Sequence, residues 1–112
     1  MVTLSFDNGP EPEVTPHVLD TLAKHSVKAS FFVMGRKAVT PGGHALIARA
    51  SAEGHWIGNH TYSHTQPLGE LDRATALREF EQTEESLAWL DQRPRLFRPY
   101  GREGRLGLSR RR

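Results

Sequence analysis

The 112-residue chain contains no cysteine. That excludes a disulfide framework, a thiolate metal centre and a thiol nucleophile, so the ligands of any metal must be histidine, carboxylate, amide or water. Long apolar runs are missing too. Nothing approaches the ~20 residues a helix needs to cross a bilayer, and no membrane association is expected. No basic-then-apolar leader precedes the first strand pattern, which makes a cytoplasmic chain the default expectation. A serine hydrolase would need a Gly-x-Ser-x-Gly elbow, and a phosphate site a glycine-rich loop closing in Lys-Ser/Thr; neither occurs. Despite a pI near 9.4, the body of the chain lacks excess positive charge. Residues 1–101 hold ten Lys and Arg against twelve Asp and Glu, whereas residues 102–112 hold five Arg and one Glu. The basicity is a tail ending in Ser109-Arg110-Arg111-Arg112, a kind of terminus that is ordinarily solvated, so nucleic acid is not expected as a partner.

What is present suits one α/β domain. Val2-Thr3-Leu4-Ser5-Phe6 alternates as a short strand, and Asp7 to Pro12 follows as a loop of turn formers. Thr15 is placed to N-cap a helix with Pro16 at its first position, closing near His25. Ala29-Ser30-Phe31-Phe32-Val33-Met34 reads as a buried strand. Pro41-Gly42-Gly43 breaks the chain before a helix from His44 to Glu53, with Gly54 as its cap. Trp56-Ile57-Gly58-Asn59 predicts a third strand. The longest helix is expected from Arg73 to about Leu90 with Asp72 as N-cap. Leu77, Phe80, Leu87 and Leu90 form its apolar stripe, and Glu79, Glu81, Glu84 and Glu85 a solvated face. Pro94 bars continuation, and Leu96-Phe97-Arg98 predicts a fourth strand. The β-α-β-α-β-α-β order implies parallel strands with crossover helices, in a barrel or an open sheet.

In such architectures ligands gather at the carboxyl ends of the strands. Those ends are Asp7-Asn8, Gly35-Arg36, His60 and Arg98-Pro99-Tyr100, and three of the four carry groups suited to metal chemistry or anion stabilisation. In His60-Thr61-Tyr62-Ser63-His64 two imidazoles four residues apart can converge on one cation. His17, His25, His44 and His55 read as solvated or capping. Trp56 and Trp89 suit packing better than a sugar platform. The sequon Asn59-His60-Thr61 is read as incidental.

Taken together, Ser5-Phe6-Asp7-Asn8-Gly9-Pro10, His60-Thr61-Tyr62-Ser63-His64 and Arg95-Leu96-Phe97-Arg98-Pro99-Tyr100-Gly101 resemble, in order and spacing, three motifs of the polysaccharide deacetylases (carbohydrate esterase family 4, the NodB-homology domain). Lys28 to Gly35 also resembles the family's second strand. The resemblance implies the N-terminal part of a distorted (β/α) barrel over residues 1–101, followed by the basic tail 102–112. It implies a metal-dependent hydrolase that removes N-acetyl groups from chitin-like or peptidoglycan-like glycans, with an acetylated polysaccharide or oligosaccharide as partner. A divalent metal, typically zinc with cobalt or nickel as alternatives, would be held by His60, His64 and position 8. Asp7 would be the general base, kept charged and oriented by Arg98. The backbone N–H of Tyr100 would face the oxyanion, and Pro99 and Tyr100 would contact substrate.

Two departures from the family pattern stand out. Position 8, an aspartate ligand in the family, is Asn8, a neutral and poorer donor, which lowers the expected metal affinity and activity. The Asn8-Gly9 pair is also of the type prone to deamidation. The family's later Asp-Trp and Leu-x-x-His segments, the second supplying a general acid, do not follow the third motif in this sequence. A half-built barrel would expose strand edges and apolar faces, so weak stability is expected of the monomer. The competing reading is an inactive glycan-binding remnant or gene fragment.

Overall fold

A computed structural model describes residues 4–63, 71–91 and 96–99. The chain runs β1 (Leu4–Gly9), α1 (Thr15–Lys24), β2 (Ala29–Val33), α2 (Gly35–Ala38), α3 (Pro41–Ala52), β3 (Trp56–Asn59), α4 (Arg73–Ser86) and β4 (Leu96–Phe97). The strands form one sheet in the order β1-β2-β3-β4, and every neighbouring pair is parallel. The expected alternation of strands and crossover helices is thus the observed one. Among the described residues no helix is long and apolar enough to cross a membrane.

Register explains why the sheet has two unlike faces, since successive side chains point to opposite sides. Phe6, Phe31 and Ile57 are mutual register partners; they pack with Leu19 and Leu22 of α1 and Ile47 and Ala50 of α3. Leu19 and Ile57 are fully buried, and full burial of such a side chain contributes about 2 kcal/mol. Asp7, Phe32, Gly58 and Leu96 form the adjacent row and face the other way, where the candidate site lies. The edge strands keep Leu4, Leu96 and Phe97 exposed, as a sheet with uncovered edges should.

Several boundaries differ from the sequence expectation. Asp7, Asn8 and Gly9 continue β1 instead of leaving it, because Asp7 and Gly9 remain paired with Phe32 and Val33. Val14, not Thr15, is the N-cap of α1; the Thr15 hydroxyl instead accepts from the Glu11 N–H at 2.8 Å. Pro41-Gly42-Gly43 opens α3 where a break was expected. Thr40 caps it by accepting from the Gly43 N–H at 2.9 Å, and proline is well suited to a first helical turn. The short α2 had no periodic signal. Asp72 caps α4 as expected, accepting from Thr75 N–H at 2.7 Å, but the helix closes at Ser86. There the Leu87, Ala88 and Leu90 amides turn to carbonyls three residues back, which still carries Leu87 and Leu90 into the core. Leu77 is 54% exposed and does not belong to the apolar stripe.

Candidate active site

Residue 8 interrupts the β1–β2 ladder: Asp7 pairs with Phe32 and Gly9 with Val33, so Asn8 is one residue too many. Its φ of 75° lies in the left-handed region, which Asn and Asp tolerate better than most side chains. A bulge of this kind re-aims side chains at the end of a strand. Without it, Asp7 and Asn8 would alternate rigidly to opposite faces. The Asn8 carbonyl accepts from Lys37 Nζ at 2.8 Å, and the same ammonium is paired with Glu11.

Arg98 crosses the site-side face from β4 to β1. Its guanidinium lies 4.2 Å from the centre of the Phe32 ring, and Nη1 donates to Asp7 Oδ1 at 2.8 Å and to Ser5 Oγ at 3.1 Å. Gly58 makes the crossing possible. A Cβ there would stand 2.7 Å from Phe32 Cδ1 and Cε1, so only glycine lets the ring lie flat on β3 and serve as the platform for the guanidinium.

The Arg98 backbone serves the same site. Its carbonyl meets His60 Nδ1 at 2.6 Å, and a carbonyl can only accept, so Nδ1 carries the hydrogen. In the neutral ring the lone pair is then on Nε2. This is how an imidazole is oriented to ligate a cation. One arginine therefore orients the expected base by its side chain and an expected ligand by its backbone.

The segment after His60 is held on all sides. Asn59 is fully buried and accepts from Thr61 N–H at 2.8 Å while its amide donates to the Phe80 carbonyl and to Glu84. Its burial agrees with the incidental reading of the sequon. Thr61 sits at φ 69°. The Thr61 and Tyr62 carbonyls accept from the Gly35 and Arg36 amides at 3.0 and 3.1 Å. The Tyr62 and Ser63 amides donate to Glu79 Oε1 at 3.1 and 2.8 Å, and Ser63 Oγ to Glu79 Oε2 at 2.9 Å. Gly35 lets the three segments meet, since a Cβ would stand 2.5 Å from the Tyr62 ring and 2.7 Å from Thr83 Oγ1.

Glu79 and Glu84 were expected on a solvated face and instead face this loop; Glu81 and Glu85 are exposed. Glu79 accepts from backbone amides and Glu84 from the Asn59 side-chain amide, partners that no side-chain periodicity reveals. The one available signal was that Glu79 and Thr83 stand four apart. His55 also departs from expectation. It is 4% exposed, accepts from Ala29 N–H at Nδ1 (3.1 Å) and packs edge-on to Phe31. Desolvation, reinforced by Lys28, lowers its pKa below the ordinary 6.5. His44 stacks on Trp89 at 4.0 Å, and Trp89 is 41% exposed.

Of the expected site residues, Asp7, Asn8, His60, Arg98 and Pro99 are described. His64, Tyr100 and the tail 102–112 lie outside the described residues, which by themselves contain no group of three His, Asp or Glu able to hold a metal. The donor types present suit a cation: an imidazole oriented through Nδ1 and an amide at the bulge, with the Asp7 carboxylate engaged by the Arg98 guanidinium.

The parallel α/β sheet brings an acid–guanidinium pair and an oriented histidine to its strand ends. The polysaccharide deacetylase family matches residues 1–106, and the chain belongs to that family. A peptidoglycan-N-acetylglucosamine deacetylase of Bacillus cereus is 43% identical over 103 residues, covering 89% of this chain and 36% of the relative. A chitooligosaccharide deacetylase of Rhizobium leguminosarum bv. trifolii is 40% identical over 91 residues, covering 77% and 39%. The solved family 4 acetyl xylan esterase of Clostridium thermocellum, in complex with a cobalt ion, superposes with a TM-score of 0.79 at 33% identity, covering 88% of this chain and 47% of that one. The chain thus spans a little over a third of the length of these two curated relatives.

Proposed function

We propose that this chain carries the base and metal-ligand side of a hydrolase that removes N-acetyl groups from amino-sugar polysaccharides of the peptidoglycan or chitin type. The observation that carries the reading is the double engagement of Arg98, to Asp7 at 2.8 Å and to His60 Nδ1 at 2.6 Å. Two expected site residues, one on β1 and one at the end of β3, are engaged by a single residue that follows β4.

His60, His64 and Asn8 would hold a divalent cation, with zinc the expected one. Bound there, it would polarise the acetamide carbonyl and acidify a water. Asp7 takes the proton of the attacking water as general base, and the Arg98 guanidinium holds that carboxylate in position. His60 keeps its orientation through the Arg98 carbonyl. The Tyr100 N–H would stabilise the oxyanion, and Pro99 with Tyr100 would contact the sugar. Asn8 leaves the donor set one negative charge short, so activity is expected to be low.

The test is acetate release from N-acetylglucosamine oligomers with zinc or cobalt added, beside zinc stoichiometry, for the native chain and Asn8→Asp. The expected result is zinc binding and weak acetate release that rise together in Asn8→Asp and are lost in His60→Ala. Asp7→Asn should retain zinc while slowing release about 10²–10⁴-fold. Zinc binding by neither the native chain nor Asn8→Asp would overturn the reading and leave a glycan-binding remnant.

A further inference from the structure

We propose that Lys37 is a positioning residue: it clamps the β1 bulge to α2 and so sets the distance between position 8 and the loop that follows β3. The consequence for zinc rests on position 8, His60 and His64 being ligands, as read above; the clamp itself does not.

β1 and β3 are not neighbours, since β2 lies between them, and two strand spacings separate their backbones by about 9.5 Å. Ligand atoms of one tetrahedral zinc stand about 2 Å from the metal and therefore about 3.3 Å from each other. The ends of β1 and β3 must lean together over the end of β2, and the element that stands there is α2. Consecutive residues of α2 hold both sides. The Gly35 and Arg36 amides donate to the Thr61 and Tyr62 carbonyls at 3.0 and 3.1 Å, with a longer bond of 3.4 Å from Arg36 Nε to the Ser63 carbonyl. Lys37 reaches the other way, its Nζ donating to the Asn8 carbonyl at 2.8 Å.

Lys37 is fixed at both of its ends. Its carbonyl accepts from Thr40 Oγ1 at 2.8 Å, and a Cβ at Gly43 would overlap that carbonyl, so α3 begins against it only because position 43 is glycine. Its ammonium is paired with Glu11, whose own amide donates to Thr15 Oγ1 of α1 at 2.8 Å. The Glu11 side chain is 50% exposed, and so open an ion pair adds little to stability. Its effect is on geometry and on charge. A bare ammonium beside position 8 would repel a divalent cation, and the Glu11 carboxylate offsets it, which leaves the clamp neutral overall.

Charge and geometry predict opposite outcomes for Lys37→Met. Removing a positive charge beside a bound cation tightens binding, whereas releasing the bulge loosens it. The experiment uses the full chain carrying Asn8→Asp, which supplies the stronger donor, and reads zinc affinity by competition with a chromophoric chelator and ligand geometry from the absorption of the cobalt(II) form. Adding Lys37→Met should weaken zinc binding about 10–100-fold, as changes to ligand-supporting residues do, and shift the cobalt bands; Lys37→Arg should restore most of both. In the metal-free chain, amide hydrogen exchange should quicken at Gly35 and Arg36, whose bonds Lys37 does not touch, by up to about tenfold, the worth of one charge-assisted hydrogen bond. Amides of the β2–β3 ladder should exchange as before. Zinc binding by the Lys37→Met chain equal to or tighter than its parent overturns the proposal. Should the parent bind no zinc, the metal reading fails and exchange alone decides the clamp: quickening that reaches Gly35 and Arg36 upholds it, and quickening confined to residues 8–11 overturns it.

Discussion

Replacing Glu79 by alanine should loosen the two histidines proposed as metal ligands without touching either of them. Its carboxylate accepts three hydrogen bonds, from the Tyr62 and Ser63 amides and the Ser63 hydroxyl, and thereby fixes the segment between His60 and His64. A bond to a charged acceptor is worth about 1.5–3 kcal/mol, but at a half-buried site the released amides reach water, so the expected loss of stability is about 2–3 kcal/mol in total. The effect on the cation should be separate and larger in proportion: a supporting-shell change typically weakens metal affinity about 10–100-fold. Glu81→Ala, exposed on the same helix, is the control and should stay within about 0.5 kcal/mol. Glu79→Gln keeps an acceptor for the two amides and should fall between them. Urea unfolding of the metal-free chain and zinc titration by calorimetry give the two readouts. If Glu79→Ala lost stability but bound zinc as Glu81→Ala does, the carboxylate would be a helix-to-loop brace with no bearing on the site.

Gly58→Ala should cost about 1–3 kcal/mol by overpacking, because the new Cβ must displace the Phe32 ring. The displaced ring should also lower acetate release, a loss that stability alone does not explain and that a Phe32→Leu background should partly restore. Ile57→Ala, at a fully buried position, should destabilise by about 2–5 kcal/mol, measured by the same urea midpoints. His55 sets a pH dependence. Its folded pKa is depressed below 6.5, so between the two values the unfolded chain binds more protons and stability rises with pH. Its contribution is complete above 6.5 and falls as pH drops from there toward the folded value, where protonation of Nδ1 removes the acceptor of Ala29 N–H. Urea midpoints should decline across that window, and less steeply in His55→Leu.

Side-chain patterns made the strands and the site legible to different depths. Trp56–Asn59 matched its strand residue for residue, a short segment buried at three of its four positions, and Asp7 with Arg98 met as the motifs implied. Glu79, Glu84 and His55 were misread for a common reason. Each satisfies a backbone amide or a buried neighbour from a distant segment, and hydropathy along one element carries no trace of such a partner. The role of Gly58 was equally hidden, since a glycine inside a strand shows what it lacks and not whose ring fills the space. The bulge at Asn8 escaped because turn-forming composition argued for a loop, whereas pairing of Asp7 and Gly9 with β2 kept the strand going.

The contact between Arg98 and Asp7 joins residues 91 positions apart, and its far end sits on a strand of two residues at the sheet edge. That strand, with both residues exposed, is held among the described residues by its ladder with β3, the edge-on contact of Phe97 with Phe80 and the bonds of the adjoining Arg98, and short edge elements of this kind open more readily than a core. The Leu19–Ile47–Ile57 core lies on the opposite face of the sheet from this contact, so fraying of that one short strand would leave the Asp7 carboxylate unaimed with the core intact. The aim of Asp7 is thus set by the completeness of the sheet and not by the packing of its core.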